Sequence, residues 1–165
     1  MDLKRLTTEY VDIEDRIRLS GEAPDGTTVV MWLTQRFVNR LVPRLVQWLE
    51  RQTSSQPRGE LLQEFAQQAA VAALPAQAPV VASKPERVLL VRAIDVTTTR
   101  ERVRFGFKGS ESGAVDAGIG FDAKALRQWL GILHVLYRRA GWPTEVWPEW
   151  AHAQVQAAPE ASVRH

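Results

Sequence analysis

The chain has 165 residues, 45% of them hydrophobic, which is enough for one domain that buries a core without disulfides or structural metals. It has no cysteine, and this excludes disulfides, thiolate nucleophiles and thiolate metal sites. A net charge of +2 is too small to indicate a polyanionic partner by itself. No apolar run approaches the roughly 20 residues that a membrane helix needs, so we expect a cytoplasmic protein without a membrane partner.

The first part of the chain predicts a β-hairpin that leads into a helix. Residues 11–19 alternate between apolar and polar side chains, as expected of a half-buried strand. The proline and glycines of residues 20–26 indicate a turn, and the apolar run at 27–33 indicates a second, buried strand. Thr34 then stands where its hydroxyl can cap a helix predicted from 35 to about 52.

Asp15 breaks the alternation of the first strand because it falls on the apolar side. It is either a buried carboxylate paired with an arginine of the first helix, or part of a bulge or strand end near Glu14. Inward-facing charges are rare without a partner and bulges are common, which favours the second interpretation.

The middle of the chain predicts one more helix and then three strands. A helix from 60 to about 74 should pair with the first helix as a hairpin, and its apolar residues form a thin stripe of Leu61, Phe65, Ala69 and Ala72. Residues 75–85, rich in alanine and proline, should form an exposed linker. The strands are predicted at 87–96, 102–108 and 115–121, with the first of them central in the sheet.

The last helix has the clearest apolar periodicity in the chain, and Asp122 is placed to cap it. The resulting fold class is α+β, with about five mostly antiparallel strands, a helical hairpin inserted after strand 2 and a long helix after strand 5. We expect a single domain over residues 1–150 and a disordered tail over residues 151–165.

Two parts of the sequence resemble each other. In both, a strand, a turn, a second strand and a capping residue lead into a helix. At a displacement of 88 residues, large apolar residues coincide as Leu41 with Trp129, Leu45 with Leu133, and Leu49 with Tyr137. Either the same unit is used twice, or two strand–helix units share the pattern because burial imposes it.

The sequence contains no clear constellation for catalysis or for metal binding. The three histidines, at 134, 152 and 165, have no partner at ligand spacing. Gly118 and Gly120 lie within a predicted strand and lack the further glycine of a dinucleotide-binding fingerprint. We therefore expect a protein that is not an enzyme and that carries no cofactor or metal.

The segment from Trp142 to Trp150 contains three tryptophans and two prolines in nine residues. A solvent-exposed loop rarely contains so many tryptophans, because each of these side chains has a large apolar surface. Trp142, Trp147 and Trp150 either cover the flank of the last helix or anchor another protein, together with Gly131 and His134 on the outer face of that helix.

Arginines form the second candidate surface. On the first helix, Arg36, Arg40 and Arg44 recur every four residues, with Arg51 near the end. This stripe is either an ordinary solvated face or a phosphate-binding surface that follows a nucleic-acid backbone. The leading prediction is a non-enzymatic protein-interaction module, an accessory or scaffold subunit that binds itself or another protein. The alternative is a nucleic-acid accessory protein that uses the arginine stripe.

Overall fold

The structure is a computed structural model, and it describes residues 1–152. Its elements are β1 Arg5–Val11, β2 Arg16–Glu22, β3 Thr28–Thr34, α1 Gln35–Arg51, α2 Gly59–Ala72, β4 Arg87–Leu90, β5 Ala93–Thr98, β6 Arg102–Lys108, β7 Ala117–Asp122, α3 Ala123–Ala140 and α4 Glu149–His152. The predicted tail begins at Ala151, which is a buried part of α4, and residues 153–165 lie outside the described residues.

The strands form two sheets, and the predicted α+β class is confirmed. Strands β1 to β4 make one sheet in chain order, and β5 to β7 make the other. All neighbouring strands are antiparallel except β3 and β4, which are parallel. Both predicted helix caps are present: Thr34 Oγ1 accepts from the Phe37 N–H at 3.2 Å, and Asp122 Oδ1 accepts from the Ala125 N–H at 2.7 Å.

The predicted third strand, 87–96, is two strands with a bend between them. The Val91 N–H donates to the Trp32 carbonyl in the first sheet, whereas the Arg92 N–H donates to the Lys108 carbonyl in the second. The bent segment therefore belongs to both sheets and lies at the end of each, not in the centre as predicted.

The N-terminal residues join the sheets at their other side. Here the Leu3 N–H donates to the Gly118 carbonyl of β7, and the Lys4 N–H donates to the Glu22 carbonyl of β2. The N-terminal strand β1 was not predicted, because its Thr-Thr-Glu centre has no apolar alternation and each of its residues is half-buried. With this second junction, the strands follow one closed circuit around the core.

The two halves of the fold, residues 1–51 and 87–140, have the same topology. Each consists of a bent strand, a hairpin and a long helix. Each long helix also donates a tryptophan hydrogen bond to the other half. Trp48 Nε1 in α1 donates to the Thr99 carbonyl at 3.1 Å, and Trp129 Nε1 in α3 donates to Thr8 Oγ1 at 3.0 Å. The halves are thus interlocked.

A single apolar core lies between the sheets and the two long helices. Its fully buried large side chains come from β2, β3, β6, α1 and α3, and include Ile17, Leu19, Met31, Leu45, Phe105, Phe107, Leu126 and Tyr137. The linker at 75–85 has no regular structure, as predicted, and is mostly exposed. However, Val80 and Ala82 are buried, and the Val80 N–H donates to Thr7 Oγ1 at 2.8 Å.

Asp15 ends a short 3₁₀ turn after β1, in the left-handed region at φ 46°. Its carboxylate accepts from the Tyr10 hydroxyl and from Trp142 Nε1, each at 2.8 Å. The strand-end interpretation is therefore correct, and the partners are aromatic residues, not an arginine. Ile13, at the tip of the same turn, is 93% exposed, although the alternation predicted that it faced the core.

Asp116 stabilises the junction of the two sheets through its side chain. Its buried carboxylate accepts from the N–H groups of Gly109 and Ser110 and pairs with Arg87 at 3.0 Å. The two N–H groups, first Gly109, lower its pKa below the ordinary 3.8. Asp116→Asn should reduce the free energy of unfolding by about 1–3 kcal/mol, measured by urea denaturation at neutral pH.

The lowered pKa fixes the sign of the pH dependence. The carboxylate contributes its stabilisation above pH 3.8 and loses it as the pH falls through the lower folded-state value, so wild type and variant should converge in acid. Asp95→Asn is the control, because the exposed Asp95–Lys108 pair at 2.7 Å should contribute at most about 1 kcal/mol. Equal losses in the two variants would contradict the assignment.

Candidate protein-interaction surface

The three tryptophans of the C-terminal segment lie inside the chain's own fold. Trp142, Trp147 and Trp150 are 6%, 5% and 7% exposed. Trp142 packs edge-on against Tyr10 and Tyr137, with ring centroids 5.6 and 5.0 Å apart. Of the two alternatives from the sequence, the described contacts are those of a segment that covers the last helix. An anchor role would require these side chains to leave the core.

The outer face of α3 is covered as well. His134, which the sequence placed on the polar face, is buried with its ring centroid 5.1 Å from that of Trp147. Gly131 does allow close approach, but the neighbour is α2 of the same chain. A Cβ at this position would lie 3.0 Å from Val71 Cγ2. Gly131 and His134, which were predicted to lie in an interface, therefore pack against α2 and the tryptophan segment of the same chain.

Helix α2 packs mainly against α3, with its glutamines inward. Gln63 and Gln67 are 2% and 1% exposed. Gln63 Nε2 donates to the Leu49 carbonyl at 3.0 Å, and Gln67 Nε2 donates to the Arg127 carbonyl at 2.9 Å. Buried amides need such partners, so these bonds specify which side of α2 faces the protein.

Arg127 completes this polar contact from α3. It is 5% exposed, and burial lowers its pKa to about 10. Its guanidinium donates to Gln63 Oε1 and lies 5.4 Å from the centroid of the Trp150 ring. Among residues 1–152, no carboxylate lies within 4 Å of it. The amide oxygen and the aromatic ring therefore compensate the buried charge.

As a result, the apolar side of α2 faces solvent. The exposed face carries Leu61, Phe65, Ala69 and Ala72, which we call the α2 stripe. Leu61 is 43% exposed and Phe65 is 58% exposed. The sequence identified the stripe correctly but could not show that it points outward. One available signal was that the opposite face, Gln63, Gln67 and Ala70, has no charged residue.

The arginines predicted to bind phosphate, Arg36, Arg40, Arg44 and Arg51, lie on the solvent side of α1. Arg51 Nη2 donates to Gln47 Oε1 at 3.2 Å. The other three form none of the ion pairs found among the described residues. They are thus a cationic row that neighbouring carboxylates do not neutralise through direct pairing.

The described part of the chain, up to His152, contains no cluster of three His, Asp or Glu side chains that could hold a metal ion. Within the same residues, none of the helices combines the length and the apolar character needed to cross a bilayer. Comparisons with models of protein families, with curated proteins and with solved structures found no match.

The buried contact between α2 and α3 can be tested by double mutation. Gln63→Ala removes the acceptor of a buried guanidinium and should lower the free energy of unfolding by about 2–4 kcal/mol in urea denaturation. Replacing both partners, as Gln63→Leu with Arg127→Met, should recover much of this loss because the buried guanidinium is removed together with its acceptor, and the Leu49 carbonyl still accepts from the Gln52 N–H at 3.1 Å.

The matched control is Gln68→Ala, an exposed glutamine on the same helix, which should change the free energy of unfolding by no more than about 0.5 kcal/mol. If Gln63→Ala and Gln68→Ala were equally mild, the inward contact of α2 would not be the stabilising one.

Proposed function

We propose that this protein is a non-enzymatic cytoplasmic interaction module that associates with a second copy of itself through the α2 stripe. The observation that carries the proposal is the orientation of α2, with glutamines buried and Leu61 and Phe65 exposed. A helix held with its apolar side in water is expected where that side is covered by another protein.

The sizes of the stripe residues support pairing with an identical helix. The two large residues come first and the two small ones follow, at spacings of four, four and three residues. In an antiparallel pair, Leu61 would face Ala72 of the second copy, and Phe65 would face Ala69. Large side chains then fill the space above small ones on both sides of a two-fold axis.

The size of the stripe sets the expected strength of association. From Leu61 to Ala72 the helix rises by about 16 Å, which is short for an interface of about 800 Å² per partner. We therefore expect weak association, with a Kd in the micromolar range or above. An accessory or scaffold subunit that assembles only at high local concentration is consistent with this.

Phe65→Gln combined with Leu61→Gln should abolish concentration-dependent association in sedimentation velocity. Both positions are on the exposed side of α2, so the midpoint of thermal unfolding in dilute solution should stay within about 2 °C of wild type.

Val81→Gln with Val88→Gln is the matched control, because it removes two exposed valines outside α2. This control should associate like wild type. A wild type that stays monomeric at the highest soluble concentration, or a control that loses association equally, would rule out the α2 stripe as the self-association surface.

Exposed arginines on α1 that form no ion pair within residues 1–152 support a second candidate, a nucleic-acid accessory protein. Arg36, Arg40 and Arg44 follow one another every four residues, at intervals of about 6 Å along the helix axis. Such a row can contact successive phosphates without reading base sequence.

If this candidate is correct, single-stranded DNA should bind with an affinity that falls steeply with salt, and Arg36→Gln with Arg40→Gln should reduce the slope of log K against log salt concentration by about 1.4. Fluorescence anisotropy across a salt series measures both. Arg138→Gln with Arg139→Gln, at the end of α3, is the matched control.

A further inference from the structure

A groove of about 710 Å³ lies where β1 separates from β7. Its sides are residues 3–6 at the start of β1, residues 119–121 of β7 and the first turns of α3. This volume lies within the usual range for a ligand site. The groove is on a different part of the molecule from the α2 stripe, and binding there does not require self-association through the stripe.

Comparison of the two halves shows why the groove exists. In the first half, β3 is paired on its outer edge by β4 along Val29–Trp32, and the Trp32 carbonyl accepts from the Val91 N–H. In the second half, the corresponding edge of β7 is bridged only at Gly118, by the N-terminal residues. Within the part of the chain that the structure describes, no strand pairs with Gly120, the counterpart of Trp32, on this edge.

The backbone of Gly120 consequently faces the groove. Gly118 uses its N–H and its carbonyl for Met1 and Leu3, so these groups point away from β6. Backbone groups alternate in direction along a strand, so those of Gly120, two residues later, point the same way. Gly120 lines the groove, and the described backbone bonds outside the sheets include none to it. This is an open strand edge inside a cavity.

The rim of the groove is cationic. Lys4, Arg5, Arg102 and Arg104 line it, and none of its lining residues is a carboxylate. Arg104 pairs with Asp2, and Lys4 and Arg5 pair with Glu22. Arg102 is in no ion pair among the described residues.

The two glycines of β7 make room for the arginines of β6. A Cβ at Gly118 would lie 2.8 Å from Arg104 Nη2, and one at Gly120 would lie 3.7 Å from Arg102 Nη2. The guanidinium groups therefore lie across the outer face of β7, directly beside its open edge. Acidic groups next to that edge would face them.

The inner side of the same edge is apolar. Ile119 and Phe121 point into the core, and Trp129 and Ile132 of α3 line the groove behind them. A strand added to β7 would continue both faces of the pleat, so its side chains would alternate between the arginines and this apolar wall.

We propose that the groove binds an extended peptide with alternating acidic and apolar residues, which adds a strand to β7 at Gly120. Backbone hydrogen bonds to Gly120 supply the docking, and the acidic side chains pair with Arg102 and Arg104. The apolar side chains cover Phe121 and Trp129. Recognition by strand addition requires this combination of open edge and alternating pockets.

The probe is a capped hexapeptide that alternates glutamate and valine, titrated into the ¹⁵N-labelled full chain and followed by two-dimensional NMR. The Gly120 amide should shift downfield because it gains a hydrogen-bond acceptor. The amides of Gly26 and Gly113, which lie in turns, should not move. The hexapeptide alternating lysine and valine, and one with three glutamates followed by three valines, should bind at least about tenfold more weakly.

Because the two halves share one topology, the arginines of β2 serve as a control for the arginines at the rim of the groove. Arg102→Gln with Arg104→Gln should weaken binding of the alternating peptide about tenfold, since two exposed ion pairs are lost. Arg16→Gln with Arg18→Gln, the counterparts on β2, should leave the Kd unchanged. Both variants alter half-exposed surface arginines, and a thermal melt verifies that each is folded.

Four results would overturn the proposal. They are no binding of the alternating peptide at millimolar concentration, equal binding of the three-and-three peptide, equal loss in both double variants, and shifts that omit Gly120. Dodecanoate is titrated in parallel, and if it shifted the groove resonances while the peptide did not, the site would be one for small amphiphiles.

Discussion

A guanidinium buried without a carboxylate determines which way α2 faces. The Arg127 guanidinium donates to Gln63 of α2, at both the side-chain Oε1 and the backbone carbonyl, while the Arg127 carbonyl accepts from Gln67 Nε2. Turning α2 by half a turn would bury Phe65 but leave the guanidinium and two amide groups without partners. Each buried polar group without a partner costs about 1–3 kcal/mol, and a charged group costs more. A single such group therefore offsets the free energy gained by burying one large apolar side chain. The inward hydrogen bonds of Gln63, Gln67 and Arg127 therefore leave an apolar stripe on the outside, even though Gln67 Oε1 has no hydrogen-bond partner among the described residues.

The parts of the fold that could be predicted from the sequence are those that local patterns of the chain determine. Both caps, the β2–β3 hairpin and the long helix after β7 follow from periodicity and from capping chemistry, which are local properties of the chain. Similarity between the halves was visible as matching apolar positions, and the structure shows the same topology in both. Strand β1 was missed because its half-buried residues include Thr8, which contacts the last helix by accepting a hydrogen bond from Trp129 Nε1 and not through apolar character.

The site could be predicted only in part, because it depends on contacts between distant residues. The apolar residues of α2 and the density of tryptophan were visible in the sequence, but their directions were not. Trp142 is fixed by Asp15, 127 positions away, and Gln63 is fixed by Arg127, 64 positions away. The sequence placed the interface on α3 and the tryptophan segment, whereas α2 covers the first and the second is buried. Which face of α2 or α3 is exposed to solvent depends on the elements that pack against that helix in the fold.

Thiol accessibility on α2 tests the central claim most directly, since the chain has no cysteine of its own. Single variants Phe65→Cys and Gln67→Cys are reacted with a chromogenic disulfide reagent in dilute native solution, where the second copy is absent. We expect the Phe65→Cys thiol to react at nearly the rate of a free thiol and the Gln67→Cys thiol to be protected until the protein unfolds. Fast reaction at 67 together with protection at 65 would show that α2 faces the other way, and the proposed interaction surface would be wrong.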